Sequence, residues 1–298
     1  MAEIKAQNQG LSITGIKKRY QQSNFRKILQ DKFGLLGFIL ILFLVLLAVF
    51  APLIAPYGIN EIDVMNKLSA PSASNLFGTD HLGRDTFSRI IMGSRIVLLV
   101  SISTTAFGVF LAIILGVLSG YASDRVGNTL LIFFDIIKSF PALLFAITVL
   151  AFTGPSIINL ILIIGITRFP GYARLIRAQT LRAREKEYVM AANAIGASPI
   201  KVMYKHILPN VIGPVFIQAA MDIPVVITFE AVLSFLGLGT PPPTPSWGSI
   251  LRVGYSYIRT SPWLVIFGGL ALIVATLGFT LFGEALRDNF DPKLRKNY

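Results

Sequence analysis

Residues 187–210 read EYVMAANAIGASPIKVMYKHILPN. The stretch opens as a short helix of small residues. Gly196 then suits a helix C′ position, where a positive φ is cheap. Ser198 can cap a second helix, and Pro199 fits its first turn. Leu208, Pro209 and Asn210 form the exit. On the first helix Tyr188, Ala191, Ala192 and Ile195 share one apolar face by the i, i+3, i+4 rule. An alanine-rich face admits close approach to a groove. The alternative is a helix lying on lipid headgroups, with Arg182, Arg184 and Lys186 toward anionic lipid. Periodicity fits both.

Outward from this stretch the chain is apolar. Hydrophobic residues make up 54% of the 298, and charged residues 14%. The apolar residues come in blocks without a polar face, and blocks of about 20 read as membrane spans. Phe33–Ala55 is uninterrupted by charge and ends at prolines. A second span is expected at Ile96–Gly120, whose Gly116 and Gly120 stand in GxxxG spacing; ordinary packing within the bundle is the commoner meaning of that pair. A third runs from about Thr129 to Phe152 and a fourth from Ser156 to Phe169; the 126–167 region fits either two full spans or one span and a re-entrant piece. The fifth covers about Val211–Leu236 and the sixth Trp263–Phe282. The expected domains are a cytoplasmic tail (1–32), a transmembrane domain (33–283) and a second cytoplasmic tail (284–298). Within the domain, 56–95 and 237–262 are expected as extracytoplasmic loops and 170–209 as a cytoplasmic loop.

The net charge of +12 is unevenly placed. Residues 1–32 hold seven Lys/Arg against two acids, 168–209 hold eight against two, and 56–95 hold four against four. Alternation of this kind follows the positive-inside rule and argues for topology rather than nucleic-acid binding. The first apolar block starts only at Phe33, so a cleavable signal peptide is not expected. There is no cysteine, and His81 and His206 are far apart, so no metal site is expected. No phosphate loop is present, so any ATP is bound by another chain. Ser198 and Lys201 spell S-x-x-K, but without supporting motifs. No catalytic residues are assigned, and a membrane-embedded hydrolase lacks a nucleophile constellation.

Two further segments carry motifs. Phe77–Arg95 reads FGTDHLGRDTFSRIIMGSR, in which Asp80, Arg84, Asp85 and Arg89 alternate in sign. Alone it reads as a salt-bridged surface loop. Phe229–Gly239 reads FEAVLSFLGLG and is followed by PPPTPSWG. The 187–210 stretch resembles the coupling loop of bacterial ABC-importer permeases, patterned as EAA, three residues, Gly, nine residues and I-x-L-P. Ala191, Ala192, Gly196, Leu208 and Pro209 fall on that spacing; Met190 stands where the pattern has Glu and His206 where it has Ile. The HILPN ending is typical of peptide importers. Gly78, Asp80, Gly83, Arg84 and Asp85 resemble the GTDxLGRD signature of dipeptide, oligopeptide and nickel permeases, and the third segment resembles the same subfamily. The three motifs span the chain from about residue 33 to its end.

The resemblance implies an all-α, polytopic bundle of about six spans, the type I importer permease fold, acting as the second permease of a di- or oligopeptide system in the bacterial cell membrane. It implies a homologous partner permease, two ATP-binding cassette ATPases holding ATP and Mg, an extracytoplasmic substrate-binding protein, and no cofactor in this chain. Nickel-chelate import is the alternative within the family. Ionisable residues also fall inside the expected spans, among them Asp135, Lys138, Asp222 and Glu230. Asp135 and Lys138 are three apart and can pair locally. Asp222 and Glu230 have no cation nearby in sequence, so they should face a protein or wet interior. They either line a translocation path or hold helices together. An ion-coupled secondary transporter would use Asp135, Asp222 or Glu230.

Overall fold

The computed structural model describes residues 31–290, and these are almost entirely helical. Helix α1 (Lys32–Val49) starts where the Asp31 carboxylate accepts from the Gly34 N–H at 2.8 Å. A short α2 (Ala51–Ile54), with Pro52 in its first turn, ends the first apolar block. Helix α3 spans Thr86–Tyr121. Then come α4 (Asp124–Ser139), α5 (Ala142–Thr153) and α6 (Ile157–Arg184). Next are α7 (Glu187–Ala194) and α8 (Pro199–Val202). A π-helical turn, Met203–Ile207, leads into α9 (Leu208–Phe235). The last two are α10 (Trp247–Ser256) and α11 (Trp263–Phe290).

Among the described residues, five helical stretches are long and apolar enough to cross a membrane: α1, α3, α6, the continuous Pro199–Phe235 run and α11. The α4–α5 pair, bent by 82° at Phe140-Pro141, makes a sixth if it counts as one span. The fold is therefore the expected helical bundle. Leucine, isoleucine and phenylalanine side chains on α1 and α11 stay exposed, as lipid-facing surfaces require.

The bundle is built around α3 and α6, which pack along their length. A Cβ at Gly116 would stand 2.7 Å from the Ala173 carbonyl oxygen, and one at Gly120 2.6 Å from Thr180 Cβ. The GxxxG pair thus serves contact inside this chain. Around that contact Ala112, Phe134, Phe169, Tyr172 and Ile176 form one core.

Several helices extend beyond the expected apolar spans. The helix that carries the second span starts at Thr86, ahead of the apolar block at Ile96, because Asp85 caps it by accepting from the Ser88 N–H at 2.7 Å. The fourth span does not stop at Phe169. Helix α6 runs through Pro170 to Arg184, since the charge of Arg168 is neutralised inside the bundle. The 237–262 loop contains α10, packed on α3, α9 and α11. The expected tail 284–298 begins as the end of α11; residues 291–298, and residues 1–30 of the tail expected over 1–32, lie outside the described residues.

Candidate functional site

Polar chemistry gathers at the two ends of the bundle and at one level inside it. Helix α3, with 36 residues, is about 54 Å long and relates the two ends.

At its Thr86 end the Gly78–Asp85 segment forms a tight turn rather than a surface loop. Asp80 and Asp85 are buried. Asp80 Oδ1 accepts from the backbone N–H groups of Leu82 at 2.8 Å and Arg84 at 3.0 Å. Its Oδ2 receives Arg84 Nε at 2.7 Å and lies 3.8 Å from Arg89 Nε. Arg89 also donates to the Ile59 carbonyl at 2.8 Å. Gly78 and Gly83 have positive φ, +71° and +79°, and a Cβ at Gly83 would overlap the Asp63 carbonyl. The GTDxLGRD spacing thus encodes one structural unit. The carboxylate organises a turn and two arginines, the glycines permit the turn, and the second Asp starts α3.

Helix α10 closes this end. Ser246 and Ser249 cap it reciprocally. Trp247 is buried and its indole N–H donates to the Ile90 carbonyl of α3 at 2.9 Å. His81 stacks on Tyr257 with ring centroids 5.9 Å apart. Burial holds the His81 pKa below its ordinary 6.5; Asp80 opposes this, while Arg84, Arg89 and Lys67 add to it.

Within the bundle the expected isolated carboxylate at Asp222 is not isolated. Arg168 Nε donates to Asp222 Oδ2 at 2.7 Å, and its Nη2 pairs with Oδ1. Tyr172 Oη donates to the same Oδ2 at 2.6 Å. The network joins α6 to α9. Glu230 is fully buried; its Oε1 accepts from Ser234 Oγ at 2.6 Å, and Oε2 has no partner among the described residues. The expected Asp135–Lys138 pair does not form. Asp135 pairs instead with Arg174 of α6, with both side chains about half exposed, and Lys138 is exposed. Arg177 donates to Ser119 Oγ at 2.8 Å. Arg168, Arg174 and Arg177 therefore hold helices together, although the last two fall in the loop expected over 170–209.

At the Tyr121 end lies α7. Tyr121 Oη donates to Asn193 Oδ1 at 3.1 Å and anchors it there. Gly196 adopts φ +78°, as the helix stop requires. Pro199 begins α8, but Ser198 makes no side-chain cap. The expected apolar face of α7 is split. Ala192 is 5% exposed and packs inward with Val189, whereas Ile195 is 85% exposed and Tyr188 and Ala191 also face outward. Met190, Ile200 and Tyr204 extend the outward surface. Leu208 is half-buried and Pro209 exposed at the start of α9. Asn193, Arg168 and Tyr172 were not singled out by sequence. The last two lie 54 and 50 residues from Asp222, and no local spacing links them. No group of three or more His, Cys, Asp or Glu residues suited to a metal ion occurs among the described residues.

A helical bundle with an outward apolar ridge, an arginine-rich end and a buried ion pair between two of its helices has the make-up of a membrane permease subunit. Residues 108–296 match the binding-protein-dependent transport system inner membrane component, and the chain belongs to that family. Residues 20–71 match the N-terminal transmembrane domain of oligopeptide transport permease C. The chain is thus a multi-pass protein of the bacterial inner membrane. It is 36% identical to a dipeptide transport system permease protein of Alkalihalophilus pseudofirmus, over 91% of this chain and 89% of the relative. It is 38% identical to a di/tripeptide transport system permease protein of Pseudomonas aeruginosa, over 89% of each. It is 33% identical to the oligopeptide transport system permease protein of Bacillus subtilis, over 89% of this chain and 87% of the relative. A chain from the solved inward-facing MetNI methionine ABC transporter superposes with a TM-score of 0.52 at 18% identity, covering 68% of this chain and 97% of that one. That likeness supports the fold.

Proposed function

We propose that this chain is one of two permease subunits of an ATP-driven peptide importer. The observation that carries the substrate class is its similarity, over nearly its whole length, to permeases named for dipeptides and oligopeptides. Peptide import is therefore favoured over nickel-chelate import and over ion coupling. The partners would be a homologous permease, two ATPases and a substrate-binding protein. ATP and Mg would sit in the ATPases, and the work of this chain is conformational.

In this reading the Tyr121 end is cytoplasmic and the Thr86 end extracytoplasmic. The basic 182–209 region supports that orientation. The outward ridge of Tyr188, Ala191 and Ile195, with Gly196 at its stop and Leu208 and Pro209 at the base of α9, is the docking surface for an ATPase. Its exposed aliphatic and aromatic groups favour a protein groove over headgroups. The run from Pro199 to Phe235, joined to the ridge by the turn at 195–198, is one continuous helix, so a push passed through that turn travels to the far side as rigid-body motion. Asp222 and Glu230 are given a structural role, since this chain's own helices enclose them. Asp135 and Lys138 stay available to a translocation path.

Reconstitution tests the reading. Proteoliposomes holding the four-subunit complex should take up labelled dipeptide only with internal ATP and external binding protein. Collapse of the proton gradient should leave uptake unchanged. Gradient-dependent, ATP-independent uptake would overturn the proposal.

A further inference from the structure

At the Thr86 end a cavity of about 510 Å³ opens between the Gly78–Asp85 turn, the Gly237–Thr244 loop and α10. That volume lies within the range of small-ligand sites. Arg84, Arg89 and Arg252 line it together with His81, Pro242 and Tyr257. No Asp or Glu is among the described residues lining it. Asp80 backs Arg84 and Arg89, so one negative charge stands against two positive ones. Arg252 has no acidic partner among the described residues. Its guanidinium lies across the turn that ends α9, where a Cβ at Gly237 would overlap it. The C-terminal end of a helix offsets only part of such a charge. The imidazole Nδ1 of His81 is buried and unpartnered on the same wall.

We propose that this cavity is a carboxylate receptor on the permease, taking the C-terminal carboxylate of the incoming peptide on Arg252, with Arg84 and Arg89 supplying the supporting positive field. The inference rests on the peptide-import reading above. Arg84 and Arg89 are already fixed by Asp80 and by the Ile59 carbonyl, so they form a wall that need not reorganise when an anion arrives. Arg252 is exposed, and its fork is free for a bidentate bond to a carboxylate. A peptide released at this end would be oriented carboxylate-first against the wall, with its side chains against Pro242 and Tyr257.

The test compares import of one dipeptide as the free acid and as the C-terminal amide. The reconstituted complex is used at concentrations that saturate the binding protein with each. In Arg252→Gln the acid-to-amide ratio of import rates should fall about tenfold, as loss of one charge-assisted hydrogen bond implies. Arg252→Lys should give an intermediate ratio, because a lysine keeps the charge and loses the fork. An unchanged ratio would overturn the inference. Equal falls for both forms leave the ratio unchanged and overturn it likewise, since Arg252 would then act on both forms alike. If the wild-type complex hydrolyses ATP and imports neither form, the peptide reading itself fails and this inference with it.

Discussion

Asp222 shows how a span can carry a full charge at low cost. Its carboxylate accepts from Arg168 and Tyr172, so neither charge is left alone in a medium that solvates ions poorly. Asp222→Ala should therefore destabilise the chain by about 3–5 kcal/mol, because it strands Arg168. The paired change Arg168→Leu with Asp222→Leu should recover most of that loss. Melting temperatures of the purified subunit in detergent check both, and a single variant as stable as wild type would show the pair to be dispensable. His81 gives a pH-dependent counterpart at the Thr86 end. Its pKa is lowered in the fold by burial, so the neutral ring is the form that fits. Its contribution is complete above about pH 6.5 and is lost as pH falls through the lowered value. Protease protection of the 57–85 segment should decline on acidification, and His81→Phe, which keeps an aromatic face toward Tyr257, should flatten that decline. Residue by residue, the sequence was most legible where partners are close along the chain. Asp80, Gly83, Arg84 and Asp85 lie within six residues, and their alternating signs announce the ion pairing that the structure shows, although not the burial of the turn. Asp222 and Arg168 lie 54 residues apart, and only the packing of α6 on α9 reveals them as partners.

Among the elements, α7 separates two roles that one face was expected to share. Ala192 belongs to this chain's own core and Ile195 to the surface. A Trp at position 192 should then cost about 1–3 kcal/mol of the subunit's own stability by overpacking. Ile195→Asp, on the open side, should leave stability within about 0.5 kcal/mol while weakening ATPase copurification. Thermal melting and copurification, measured on both variants, separate the roles. If Ile195→Asp retains wild-type ATPase binding, the ridge is not the contact. Helix α10 was hidden for a different reason. Gly and Pro crowd residues 237–245, and such composition signals a loop. The ten-residue helix after it is held by Trp247 and a serine capping box rather than by length or propensity. Helix α6 was cut short because Arg168 and Pro170 both look like stops. A buried ion pair and neighbouring helices remove the force of each signal. The π-turn at Met203–Ile207 has no signature that spacing would show, since it differs from α-helix only in which carbonyl each N–H chooses.

For the whole molecule, long uncharged blocks made the number of spans and the helical class legible, because a bilayer admits few other backbones. Which helices would be neighbours was not legible, and one adjacency stands out. Helix α1 packs chiefly against α11, the last helix. A Cβ at Gly37 would come within 2.5 Å of the Phe282 backbone nitrogen, and the Phe38 and Phe282 rings lie 6.1 Å apart. The natural chain has no cysteine, so cysteines placed at Phe38 and Phe282 should be joined by a short bis-maleimide in the full-length protein. They should stay unjoined after Phe282→Cys alone. During synthesis this adjacency has a temporal meaning. The first helix leaves the ribosome more than two hundred residues before its main partner exists. Through most of translation it has only α3 to pack on, through Leu44 and Ala48, and its Gly37 face is uncovered. The final helix covers that remaining face. Ribosomes stalled before Trp263 should therefore carry nascent chains whose first helix is open to cross-linking by insertase and lipid probes. Chains released after Phe290 should lose cross-links from a probe at Gly37, which α11 covers, and keep those from the lipid-facing Ile39 and Phe43, so the last step of biogenesis completes the first one.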